Sequence, residues 1–200
     1  MSEPGYNEME QLAELRRGLA LKPQEVDLTQ LIPLLVPSSF FDSQGWPGPY
    51  SLLRAGGLGL TWAVMMPRQT MRYVDHELAD YWESQNLDWR HVAGENLARM
   101  TGDPVATGQL LRDDGSVYAL VMMHEDGCGP SRLLFDKYLF QMFPEGYRVA
   151  IPEMSVGLAI SVNLSETQEK KIESIVSTCF ERGTRPVSPL IYGSKDLVAA

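Results

Sequence analysis

The chain is poor in cysteine. Cys128 and Cys179 are the only two in 200 residues. A pair so far apart in sequence is not a disulfide scaffold, and with no secretory signal both read as reduced thiols in a cytosol. Basic residues are also short, 17 Lys and Arg against 26 Asp and Glu, for a net charge of -9. No run of Lys or Arg offsets this. A negative field repels phosphate backbones, so no nucleic-acid partner is expected. No stretch approaches the roughly 20 apolar residues of a membrane span. The opening MSEPGYNEMEQ is acidic and polar rather than signal-like, so the expected location is cytoplasmic. No P-loop, G-x-S-x-G or internal repeat occurs. Gly56-Gly57-Leu58-Gly59 lacks the following helix and third-glycine spacing of a dinucleotide fingerprint, so no cofactor is implied.

What remains is 44% apolar and 22% charged, the balance of a globular protein with enough apolar side chains for a core. Residues 1–27 read as an N-terminal arm. Met9, Leu12, Ala13, Leu15 and Leu19 have loose helical spacing there, stopped by Gly18 and Pro23. Residues 28–200 read as one α+β domain. Apolar strands are predicted over 28–36 and 60–66, the first tolerating Pro33 only at an edge or bulge. Between them runs an irregular loop over 38–59 with an aromatic cluster of Phe40, Phe41, Trp46 and Tyr50, either a lid or a loop pinned by its own rings.

Asp75 and Asp88 are N-cap signals for two helices. In the second, Trp89, Val92, Ala93, Asn96, Leu97 and Met100 form one stripe, ended by Gly102. Glu95 and Arg99 beside it have i, i+4 pairing distance. Asn96 is the odd member, an amide on a buried face that must find hydrogen-bond partners. It either ties the helix to a neighbouring backbone or reaches a pocket beside Arg132. A hairpin around Asp114-Gly115 joins strands at 105–111 and 117–123. An antiparallel pair comes next, at 147–151 and 155–162. Ser165 and Gln168 form a capping box for a last helix, with Gly183 as its C′ residue. This order predicts a largely antiparallel sheet with helices packed on one face.

Candidate chemistry concentrates between strand and helix at residues 121–143. His124, Glu125, Asp126, Cys128, Ser131 and Arg132 fall within nine residues. With Gly129 as N-cap and Pro130 at N1, free N–H groups beside Arg132 could bind a carboxylate or phosphate. The alternative is internal, with Asp126 accepting from the turn or from Arg132. His124, Asp126 and Cys128 have zinc-ligand chemistry, but H-E-D-x-C is not a ligand spacing, so no metal is expected. Cys128 near a helix N-terminus, with His124 as base, is the one nucleophile candidate. Cys179 lies on an apolar stripe.

Several segments together resemble the YtpQ-like proteins, a bacterial family without an established activity. The likeness rests on Leu31-Ile32-Pro33-Leu34-Leu35 with Ser38-Ser39-Phe40, on Val74-Asp75 before two helices, and on Glu95-Asn96-Leu97. It continues with Asp126-Gly127 and Ser131-Arg132, Val149-Ala150-Ile151-Pro152, and the segment from Gly183 to Tyr192. It covers about residues 28–198. Cys128-Gly129-Pro130 departs from the Tyr-Asp-Ala the resemblance implies. The resulting expectation is a non-catalytic domain that binds an unknown protein or a small anionic ligand. Asp126, Ser131, Arg132 and Asn96 are its candidate contacts. The alternatives are an enzyme using the same turn with His124 or Cys128, and an immunity-like or scaffold protein.

Overall fold

The structure, a computed structural model, describes residues 23–42, 46–66 and 70–200. Most of the predicted N-terminal arm lies outside the described residues. Of its end, Pro23–Glu25 form a short 3₁₀ turn, and Val26 is buried in a cluster with Trp62, Trp82 and Trp89.

The fold is α+β, as the order of elements predicts, and its strands divide between two antiparallel sheets. In the smaller sheet β3 (Leu58–Met66) is central. Along one side runs β1 (Leu31–Pro37), in register from Leu31↔Val64 to Pro37↔Leu58. The other side of β3 is shared by β2 (Ser51–Leu52) and β4 (Thr70–Tyr73). Nothing in T-M-R-Y marks β4 as a strand in sequence. β1 is an edge strand, which accommodates Pro33. Its continuous apolar run is explained by cover on both faces. Leu31 joins Trp62, Trp82 and Trp89, Ile32 and Leu34 meet Leu97 and Cys128, and Leu35 reaches the core of the second sheet.

The larger sheet has the order β5-β6-β8-β7-β9, with β5 (Gly108–Leu111), β6 (Val117–Met122), β7 (Tyr147–Glu153), β8 (Val156–Ser161) and β9 (Ile191–Gly193). Alternation along its strands feeds two cores. Ala150, Leu158 and Ile160 pack on Ile172 and Val176, while Val149, Ile151 and Ala159 pack toward Leu133, Leu139, Leu35 and Leu58. One face therefore carries a helix and the other meets the smaller sheet. The last residues fasten the two sheets together. β9 pairs with β7, and beyond it Ala55 N–H donates to Asp196 O (2.8 Å) and Arg54 N–H to Val198 O (3.0 Å).

The helices begin where side chains satisfy their first N–H groups. Asp75 accepts from Leu78 N (2.8 Å) at α1 (His76–Ser84), and Asp88 from His91 N (3.2 Å) at α2 (Trp89–Thr101). α3 (Asp136–Met142) is short and has no side-chain cap. Ser165 and Gln168 close a reciprocal capping box on α4 (Glu166–Arg182). Two expectations are corrected. Gly183 does not end α4 in the left-handed conformation, since its φ is -65°. A Cβ there would lie 2.5 Å from Glu153 Cγ and 2.6 Å from Cys179 O, so close approach requires the glycine. Cys128, not Gly129, is the N-cap residue of the central turn. It opens a 3₁₀ segment, Gly129–Leu134, and α3 begins only beyond that segment.

The 3₁₀ segment is wedged against the larger sheet. A Cβ on Gly129 would overlap the carbonyl oxygens of Met122 and Ser155, the latter at 2.6 Å, and one on Gly157 would sit 2.9 Å from Pro130 Cα. These neighbours are backbone and cannot move aside. Gly129→Ala is expected to cost at least about 2 kcal/mol by overpacking. Gly94→Ala, in α2 with open space around it, should stabilise by up to about 1 kcal/mol through helix propensity. Urea denaturation of both variants checks this contrast, and equal effects would contradict it.

Candidate functional site

The central turn folds inward. Cys128 through Leu133 are all buried, and Arg132 is 0% exposed. Its guanidinium meets Asp126 in two parallel bonds, Nη1 to Oδ1 at 3.0 Å and Nη2 to Oδ2 at 2.6 Å, while Nε donates to Thr101 Oγ1 at 2.9 Å. Thr101 in turn donates to Leu97 O (2.6 Å). Asp126 Oδ1 also accepts the Cys128 amide at 2.8 Å. The network runs from the last turn of α2 through Arg132 to the loop after β6, with each member paired.

These bonds decide what the turn can do. Burial pushes the Asp126 carboxyl up, but the Arg132 bonds, the Cys128 amide and the Arg132 and His124 charges together hold it below its ordinary value. Arg132 is spent on Asp126 and Thr101, so it is not open to an incoming anion. Burial, with the Asp126 charge beside it, pushes the Cys128 thiol up to about 12. A protonated thiol is a poor nucleophile, which removes the sequence-based case for Cys128. His124 is pushed down by burial and then by the Arg132 charge, and its Nδ1 is buried without a partner. Both cysteines are free thiols. Among the described residues no three His, Cys, Asp or Glu side chains converge as a metal would need, and no helix is long and apolar enough to cross a membrane.

Of the four predicted contacts, three come together and one does not. Asp126 and Ser131 face a common cavity, with Arg132 directly behind Asp126. Asn96 is elsewhere. Its amide donates to Leu28 O (2.6 Å) and Leu31 O (2.9 Å) and accepts from Arg99 (3.3 Å), so it ties α2 to the entry of β1. The expected Glu95–Arg99 pair is not formed. Glu95 lies 3.2 Å from His91, and Arg99 donates to Thr29 O (2.6 Å).

The cavity, about 470 Å³, opens at the seam between the sheets. The smaller sheet contributes Leu34 and Leu35 from β1 and Met71 and Tyr73 from β4. The larger sheet contributes the 124–128 loop with Pro130 and Ser131, then Met154 and Ser155 between β7 and β8, and Arg185 after α4. Sequence reading missed Tyr73, Met154, Ser155 and Arg185. Each is an ordinary residue in its own segment, and only the joining of the sheets makes them neighbours. Burial pushes the Tyr73 phenol up, against the opposing pull of the Arg185 charge, so it stays protonated. The predicted loop over 38–59 in fact holds β2 and the start of β3, and its Trp46 reaches this wall at Tyr73. Phe41 stacks on Tyr50 (4.2 Å between centroids), and Trp46 packs edge-on against both Phe41 and Tyr73 at 5.0 Å. Gly59 leaves the space that the Phe41 ring fills. The described residues of this segment are held together by these rings.

No family model, no curated protein and no solved structure matches the chain.

Asp126→Asn would leave a fully buried guanidinium without a counter-charge, and should cost about 3–5 kcal/mol at neutral pH. Because the native Asp126 carboxyl is held below its ordinary value, its contribution is complete well above the unfolded value of about 4 and drains away as pH falls toward the lowered native value. The stability gap between wild type and variant should therefore narrow below about pH 4. A gap constant down to the acid transition, in urea melts across pH, would contradict this.

Proposed function

We propose that this chain is a non-catalytic domain that binds a small molecule in the cavity between its two sheets. One observation carries the reading: a cavity of about 470 Å³, lined from both sheets, borders polar side chains that the fold does not use. Among the described residues, the Tyr73 and Ser131 hydroxyls accept and donate no hydrogen bond, and Arg185 forms no ion pair. Unused polar groups beside Leu34, Met71 and Met154 make a wall of mixed character, the usual composition of a ligand site of this size. The two methionines can adapt to an apolar surface. Support for the non-catalytic part comes from the same turn. Asp126 is held by Arg132, and the Cys128 thiol is buried and pushed up to about 12, which disfavours a thiolate at this turn.

Kinship with the YtpQ-like proteins is part of the proposal. It rests on the order of the segments that carry the resemblance, among which the Asp126-Gly127 and Ser131-Arg132 turn holds the two ends of the buried pair. A cytoplasmic location goes with it, supported by two free thiols and an acidic composition.

The test is an NMR fragment screen. Hits are expected to shift resonances of Leu34, Met71, Tyr73 and Met154 together, and to lose that effect in Met154→Trp, whose indole would occupy the cavity. Hits that map elsewhere, or that bind the variant equally well, would sink the reading.

A further inference from the structure

The hydrogen-bonding capacity left over around the cavity includes one unpaired cation, Arg185. Two of the carboxylates nearby are engaged. Asp126 takes two bonds from Arg132 and one from the Cys128 amide. Glu153, just behind Ser155, accepts from the Ser155 amide at 2.6 Å, its hydroxyl at 2.5 Å, and more weakly from Thr184. The Glu125 carboxylate is exposed and has no hydrogen-bonded partner among the described residues, and His124 Nδ1 is buried without one. The donors are idle. Arg185 is exposed and its guanidinium has no hydrogen-bonded or ionic partner among the described residues, and the Tyr73 and Ser131 hydroxyls have none either. A guanidinium offers five N–H donors and no acceptor, in a fork that fits a planar oxyanion.

Charge decides how much anion this site takes. Among the described residues, Arg185 and Arg132 are the cations nearby, against the carboxylates of Glu125, Asp126 and Glu153. One negative charge can pair with Arg185. A second would face three carboxylates with no further unpaired cation among the described residues lining the cavity, which disfavours a phosphate dianion. The remaining lining, Leu34, Leu35, Met71, Pro130 and Met154, suits an apolar body.

We propose, resting on the small-molecule binding reading, that the ligand of this cavity is a monocarboxylate with an apolar or aromatic body, its acid group held by Arg185 with the Tyr73 hydroxyl as second donor. Arg185 sets the preference for the acid, and the Leu and Met wall supplies affinity without selecting one chain shape.

The experiment compares four probes that share one ring system: 1-naphthoate, 1-naphthalenemethanol, 1-naphthylmethylamine and 1-naphthyl phosphate. Affinities are read by NMR titration on wild type, Arg185→Gln and Tyr73→Phe. The acid should bind wild type about tenfold or more tightly than the alcohol and the amine, the size of one charge-assisted contact. Arg185→Gln should erase that advantage while leaving alcohol binding unchanged, and Tyr73→Phe should reduce it severalfold. Arg185 is exposed, so its replacement tests binding rather than folding. Equal or tighter binding of the alcohol, amine or phosphate would overturn the carboxylate assignment and leave the binding reading standing. An acid preference that survives Arg185→Gln would do the same. If none of the four binds, this assignment falls, and the fragment screen with Met154→Trp decides the broader reading separately.

Discussion

The buried pair between Arg132 and Asp126 is the constraint on which the centre of this protein depends. A guanidinium with no solvent exposure has lost its hydration and must recover it from fixed partners. Asp126 supplies two acceptors and the charge, and Thr101 supplies the third acceptor from the end of α2. Three separate pieces of chain are thereby held to one another: a helix of the smaller-sheet side, the loop after β6, and the 3₁₀ segment between the sheets. Such a pair adds less net stability than its Coulomb energy suggests, because both charges were desolvated to make it. Its effect is geometric. The alternatives, in which one charge is buried alone, are far worse than the arrangement observed.

The cavity is a consequence of that arrangement. The 3₁₀ segment lies so close to the larger sheet that Gly129 and Gly157 have no room for a side chain. With the segment pressed to that side, the loop at 124–128 stands off from β1 and β4, and the gap is bordered by side chains of both sheets. Arg132 and Asp126 are spent in building the wall, and the cavity is completed by Ser131 of the same turn and by Tyr73, Met154 and Arg185 of more distant segments. Of the residues that look reactive in sequence, Arg132 is enclosed, while Asp126 and Ser131 border the open space beside residues that look ordinary.

Features set by near neighbours in the chain were legible in the sequence. Asp75, Asp88 and the Ser165–Gln168 box mark helix starts because a cap acts within three residues of its own position. The Asp126–Arg132 pair was legible as one of two alternatives, since both partners lie in one turn. Asn96 was legible as a buried amide needing partners, but those partners, Leu28 O and Leu31 O, are more than sixty residues away. Thr101 carried no signal, because a threonine in the last turn of a helix says nothing about a guanidinium thirty-one residues on. β4 was missed because four mixed residues have no period to read.

By itself, then, the sequence determined the acidic, cysteine-poor character of the chain, and also the longer strands, the N-caps at Asp75, Asp88 and Ser165 and the hairpin pairings, which depend on residues near one another. Only the tertiary structure decided that the strands form two sheets, that Arg132 is closed off by Asp126 and Thr101, and that Tyr73, Met154 and Arg185 border one cavity. The physical reason is that pairing between distant strands depends on the summed burial of many side chains, and no single residue or spacing reports that sum.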